Sequence, residues 1–213
     1  MTTTLYLIRH GETDDNARGV SQGRRDVPLN ARGRAQAAAV AAWFDGRPLT
    51  QVVSSLSSRA RDVAAGIAAA RGLTSVEDER LVEFDQGELD GLALEDMRER
   101  YSNFLEHWRR DDPTDLRMPG GETFGEVQVR VVEACEQIAA ANLDGAVAVV
   151  SHNFALRAAL CHALDVPLSN FRRFRTDLAS VSVVTVEPGE WWRVEGLNEQ
   201  CHLADVESPA THE

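Results

Sequence analysis

The stretch "GAVAVVSHNFALRAALCHAL" (145–164) limits the fold of this chain more than any other. Its first residues are continuously apolar up to Ser151, the pattern of a strand that a sheet buries on both faces. A helical pattern begins at Asn153 with no linker between. Such a strand, running straight into a helix, belongs to a mainly parallel sheet clad by helices. The remaining chain keeps this rhythm. "LYLIR" (5–9) and "TQVVSS" (50–55) read as strands. "LNARGRAQAAAVAAWF" (29–44) reads as a helix with Asn30 as N-cap, and "SRARDVAAGIAAARG" (58–72) as a helix closed by Gly72. In the helical stretch 121–142, Val127, Val131, Cys135 and Ile138 share one face. "ASVSVVTVE" (179–187) and "WWRVEGLN" (191–198) flank Pro188-Gly189 and predict a hairpin. The expectation is an α/β protein: a three-layer α/β/α sandwich whose mostly parallel central sheet ends in an antiparallel edge strand.

No linker or internal repeat divides the chain, so residues 1–203 are expected to form one domain, followed by a polar tail from Ala204 to Glu213 that frays. Residues 92–120, which hold Phe104, Trp108 and several arginines, are expected to be a helical insertion over the sheet.

Bulk composition removes several function classes. No apolar run approaches the ~20 residues that span a bilayer. Met1-Thr2-Thr3-Thr4 has neither a basic patch nor an apolar signal core, which predicts a cytoplasmic protein with no membrane partner. Cys135, Cys161 and Cys201 are widely spaced and odd in number, favouring reduced thiols over a disulfide framework or a zinc site. With 22 basic and 34 acidic residues the net charge is −12. That surface repels nucleic acid, so an anionic ligand must be held by a local cluster of positive groups.

Three strand-to-helix junctions offer such groups, and ligands of open α/β sheets sit beyond the carboxyl ends of the strands. The first carries Arg9 and His10 with Asn16 close by; the second Ser54-Ser55, then Arg59 in a first helical turn; the third Ser151-His152 at a helix start. Each is weak alone, and a lone histidine at a strand end is more often structural. Their convergence at one edge points to a phosphate.

"LIRHGET" (7–13) resembles the signature of the histidine phosphatase superfamily, the phosphoglycerate mutase-like proteins. The resemblance continues in order through "QGRRDVPLNARGRAQA" (22–37), "SSLSSRA" (54–60), "LVEFDQGELDG" (81–91), "PGGET" (119–123), "VVSHN" (149–153) and "NEQCHL" (198–203). It implies a phosphomonoester hydrolase for a small phosphorylated metabolite, with no cofactor and no metal. His10 would be the nucleophile, its tautomer fixed by the Gly11 carbonyl. Arg9, Arg59 and His152 would surround the phosphoryl group, with Asn16 adding a hydrogen bond. Glu83 would be general acid and then base, kept protonated by a dry site. Gln22, Gly23 and Asn153 are substrate-binding candidates.

Other residues carry blander expectations. Glu122 and Thr123 divide between helix start and pocket, Arg157 between a structural salt bridge and a ligand contact. Arg172, Arg173 and Arg175 read as surface charges, and His107, His162, His202 and His212 as non-catalytic. The family pattern is departed from at Asp15 (a usual tryptophan), Val63 (threonine), Leu89-Asp90 (Trp-Glu) and Asn153 (glycine). Rival readings are phosphoglycerate mutase-type transfer, a non-catalytic phosphate-binding protein, and a metal site built from His10, His152 and Glu83. A homodimer is left open as the assembly.

Overall fold

Alternation along β1 (Thr3–Arg9) sends Leu5 and Leu7 to one face of a sheet and Tyr6 and Ile8 to the other. The computed structural model, which describes residues 1–110 and 112–206, continues with α1 (Asp14–Ala17), α2 (Ala31–Trp43), β2 (Gln51–Ser54), α3 (Ser58–Arg71) and β3 (Ser75–Glu77). Next come α4 (Leu94–Arg100), α5 (Ser102–Arg110), α6 (Phe124–Ala141), β4 (Ala146–Ser151), α7 (Asn153–Ala163), β5 (Val181–Glu187) and β6 (Trp191–Glu199). The strands form one sheet in the order β3-β2-β4-β1-β5-β6. β1 to β4 pair in parallel, whereas β5 and β6 run antiparallel, so the expected sandwich with an antiparallel edge is the observed fold.

All six residues of β4 are buried because helices cover both of its faces. On one side, α2 and α3 bury Val40, Phe44, Val63 and Ile67 against Ile8, Val52, Ala148 and Val150. On the other, α6 and α7 bury Val127, Val131, Cys135 and Leu160 against Leu5, Leu7, Val147 and Val149. Burying each such side chain is worth roughly 1.5–3 kcal/mol before chain entropy is counted. Helix ends follow local chemistry. Asn30 caps α2 by accepting from Gly33 N–H, Thr123 and Glu126 form a capping box on α6, and Gly72 closes α3 in the left-handed region at φ 66°.

Three features were not read from sequence: the three-residue β3, whose side chains are all exposed, the short α1, and a register shift in the β5–β6 hairpin. A strand that buries nothing leaves no hydrophobic signal. Cys135, Cys161 and Cys201 are free, and burial pushes Cys135 up to about 12 and Cys161 up to about 11. Among the described residues no helix is long and apolar enough to cross a membrane. Residues 207–213, which hold most of the predicted tail and His212, lie outside the described residues.

Candidate active site

Strand register brings the three junctions together. Arg9 of β1 lies opposite Ser151 of β4, and Ser54 of β2 opposite Val150. The next residues are therefore neighbours: the rings of His10 and His152 are 5.1 Å apart, and the Ser55 hydroxyl lies 2.6 Å from His152 Nε2.

His10 is 3% exposed, and its Nδ1 lies 2.7 Å from the Gly11 carbonyl oxygen. That oxygen can only accept, so Nδ1 carries the proton and Nε2 keeps its lone pair. The loop that holds this carbonyl is clamped. Glu12 N–H donates to Gln36 Oε1 at 2.8 Å, and the Glu12 carboxylate accepts from Asn30 and Arg32. A Cβ on Gly33 would lie 2.0 Å from the Glu12 carbonyl oxygen, and one on Gly11 2.6 Å from that of Gly33. Only two glycines let α2 press this closely on the loop.

Glu83, 3% exposed, docks on the start of α7. Its Oε1 accepts from the N–H groups of Phe84, Phe154 and Ala155 at 2.8, 3.1 and 3.2 Å. Burial raises its pKa above the usual carboxylate value, although these amides and the cations Arg59 and Arg9 pull the other way. Its segment is held by Arg130, which donates to the carbonyls of Arg80, Val82 and Glu83 at 2.6, 2.7 and 3.1 Å and pairs with Glu122. Sequence reasoning missed Arg130. Its signal was a cation bordering the apolar stripe of Val127 and Val131, where a charge needs a buried reason.

Burial, then the Arg59 and Arg9 charges, lower His10 well below the usual histidine value, and His152 likewise. Both rings are neutral at neutral pH. Burial brings Arg9 down to about 10. Arg9 donates to the Thr176 carbonyl, and Arg59, fully buried, to those of Gly23 and Arg25. Arg9 Nε, Arg59 Nε, His152 Nδ1 and Gln22 Nε2 are buried without a hydrogen-bond partner. Orphaned donors of this kind each cost about 1–3 kcal/mol.

A cavity of about 420 Å³ opens above His10 and is also lined by Arg9, Asn16, Gln22, Glu83 and Asn153. Asn153 accepts from the Thr176 hydroxyl at 2.9 Å. Gly23 stands outside this lining. Its amide donates to Asp90 Oδ1 and its carbonyl takes Arg59, so it braces the cation from behind. The departures from the family pattern find local roles. Asp15 pairs with Arg18 and Arg25, Val63 is buried in α3, Asp90 holds the amides of Gly23 and Arg25, and Leu89 lines the cavity.

The secondary candidates are placed as follows. Glu122 is tied to Arg130, Arg24 and the Asp85 amide and Thr123 caps α6, so both serve structure and neither lines the cavity. Among the described residues Arg157 makes no salt bridge and its Nε has no partner; its guanidinium lies 6.0 Å from the Phe171 ring centre. Arg172 sits over Phe171 and Arg175 pairs with Asp177. His202 Nε2 meets the Ala179 carbonyl near Trp43, His162 packs on Trp192, and His107 bonds its own helix. Among the described residues no group of three or more His, Cys, Asp or Glu is placed to hold a metal ion.

The roof of the cavity comes from residues 92–120, the stretch expected to be a helical insertion, in which sequence reasoning singled out Phe104 and Trp108 but not Leu94, Met97 and Leu105. Leu94, Met97, Phe104, Leu105 and Trp108 line it from α4 and α5. With Tyr101 they recur at helical spacing through both helices, a stripe legible in the sequence but hidden among arginines.

Known proteins resemble this chain over nearly its whole length. The chain is 33% identical to phosphoserine phosphatase 1 of Hydrogenobacter thermophilus, covering 94% of each chain. It is 34% identical to a probable phosphoglycerate mutase of Escherichia coli, over 98% of this chain and 97% of the relative. Among solved structures, YhfR of Bacillus stearothermophilus superposes with a TM-score of 0.88 at 29% identity, over 94% of this chain and 99% of that one. A mycobacterial glucosyl-3-phosphoglycerate phosphatase gives 0.85 at 26% identity, over 94% and 100%. The family pattern itself runs from residue 5 to residue 200, and the chain belongs to the histidine phosphatase superfamily, branch 1.

Proposed function

We propose that this chain is a phosphomonoester hydrolase for a small phosphorylated metabolite, working through a phosphohistidine on His10. The observation that carries the reading is His10 itself: buried, neutral, with Nδ1 bonded to Gly11, and lining one cavity with Arg9 and Gln22, each of which holds a buried donor without a partner among the described residues. Nε2 attacks phosphorus, the P–N bond forms and the P–O ester bond breaks. Glu83 gives its proton to the leaving oxygen, the task its raised pKa allows. Water then attacks the phosphohistidine, Glu83 takes a proton from it, and the P–N bond breaks to release phosphate and free His10. Arg9, Arg59 and His152 hold the charge on the equatorial oxygens, assisted by Asn16, Gln22 and Asn153. Ser55 donating to His152 Nε2 would leave the proton on Nδ1, ready for a phosphoryl oxygen.

Hydrolysis is favoured over mutase-type transfer because a mutase must bind a second acidic group and exclude water. The insertion from Leu92 to Gly120 is short, and Arg98, Arg100, Arg109 and Arg110 line none of the cavity above His10. The mechanism is tested by reacting the protein with labelled phosphomonoester, quenching without acid and mapping a base-stable, acid-labile label. Label on the His10 peptide supports it; label elsewhere, or binding without turnover, overturns it. Incubation with 3-phosphoglycerate and catalytic bisphosphoglycerate separates the two reactions, since isomerisation far faster than phosphate release would make the chain a mutase.

A further inference from the structure

The cavity above His10 is divided by chemistry. Arg9, Glu83 and the neutral His10 are its only ionisable residues among the described ones, and they sit where β1 ends and α7 begins. Above them the lining is Leu94, Met97, Phe104, Leu105 and Trp108, closed by Leu89, Met118 and Phe154. The basic residues of α4 and α5 are placed elsewhere. Arg98 and Arg109, with Arg172, border a surface cleft on the far side of Leu94, Leu105 and Trp108, which line both it and the cavity; Arg110 pairs with Glu106 at 2.6 Å, and Arg100 sits over the Tyr101 ring. The two helices therefore make a wall that is apolar inside and basic outside.

An apolar stripe can exist merely to dock a helix on a core. Here the stripe rests on the core only in part: Met97, Phe104, Leu105 and Trp108 are half-buried against it, no residue of α4 or α5 is fully buried, and Leu94 is 48% exposed, which leaves apolar surface facing the cavity. The wall is also preformed. Trp108 stands 5.7 Å from Phe84 and 6.2 Å from Phe154, and its carbonyl accepts from Arg172 at 2.5 Å.

Resting on the hydrolase reading, we propose that the phosphomonoester carries an apolar group, an aryl ring or alkyl chain without a second charge, which the α4–α5 wall selects. A carboxylate taken to the cavity side of that wall would lose its hydration and meet no cation of α4 or α5, whereas a hydrocarbon gains from burial. At about 420 Å³ the cavity admits a phosphate together with a ring-sized group.

The experiment compares kcat/KM of the full chain for ethyl to hexyl phosphates and phenyl phosphate with that for 3-phosphoglycerate and O-phosphoserine. The alkyl series should rise by roughly threefold per methylene until the wall is covered. Hexyl and phenyl phosphates should exceed both acidic esters by about tenfold or more. Trp108→Ala should lower the hexyl-to-ethyl ratio. Leu94→Lys, at an exposed rim position that threatens no packing, should narrow the gap between apolar and acidic esters. Arg109→Ser, on the outer face, should change neither ratio. Acidic esters turned over as well as or better than hexyl phosphate, or a selective loss of their turnover in Arg109→Ser, would overturn this inference alone. No turnover of any ester would overturn the hydrolase reading and this inference with it.

Discussion

His10 and Glu83, which line the cavity, and Arg59 and His152, which stand outside its lining, are at most 3% exposed and hung from strand ends and helix starts by hydrogen bonds; together they make the floor of the site. At the roof, α4 and α5 contain no fully buried residue and rest on the core through half-buried side chains. The difference teaches where each kind of precision is needed. Phosphoryl transfer demands donors fixed before charge develops, which only a rigid, dry frame supplies. Recognition of a hydrocarbon needs area without direction, and a lightly packed helix pair provides it. Substitutions at the floor should therefore act on kcat for every ester, and those at the roof on selectivity.

The largest effect is expected at His10. His10→Ala should lose activity by roughly 10⁴-fold or more on all esters while circular dichroism stays native. Residual activity that still discriminates among esters as wild type does would place the nucleophile elsewhere. Next comes Glu83→Gln, expected to cost about 10²–10⁴. Because burial raises Glu83, the proton-donating form persists above the ordinary carboxylate range and is lost as pH rises through that raised value. His10, lowered well below the usual histidine value, stays neutral into mildly acidic solution. The wild-type to Glu83→Gln ratio of kcat/KM on one ester, in which the ester's own ionisation cancels, should fall on the alkaline side. A flat ratio would remove Glu83 from proton transfer.

Arg59→Ala should cost roughly 10²–10³ in kcat, by analogy with loss of one oxyanion donor, and Arg59→Lys should recover only part. Since Arg59 also holds Gly23 and Arg25, the variant will be less stable, so vanadate inhibition is the decisive readout. Equal inhibition of variant and wild type would reduce Arg59 to a structural role. The smallest effect belongs to the roof. Trp108→Ala, removing a partly buried ring from an aromatic cluster, should destabilise by about 1–2 kcal/mol, less than the 3–5 typical of a fully buried one. A loss of kcat on ethyl phosphate as large as that of Arg59→Ala would break the division between floor and roof.

Much of the floor was legible because its residues sit where a period changes. Arg9, His10, Ser54 and His152 each end an apolar run, and burial on both faces makes such runs conspicuous. Glu83 was legible by resemblance alone. It lies beyond a 3₁₀ turn in an irregular stretch, where no periodicity marks it. Arg130 went unread because its place beside the apolar stripe is only a weak signal, and three of its partners are backbone carbonyls, which every residue possesses.

By itself the sequence determined the layers, the parallel core with its antiparallel edge, and the strand ends at which charge collects, since these follow from the local period of apolar side chains. Tertiary structure alone decided the strand order that sets β4 beside β1 and so brings two histidines, 142 positions apart in sequence, to 5.1 Å. It also decided which side of α4 and α5 faces the nucleophile. A helix carrying both leucines and arginines presents either face until a neighbour is packed against it. Here the aromatic cluster around Phe84 and Phe154 drew the apolar stripe inward and left the arginines to solvent.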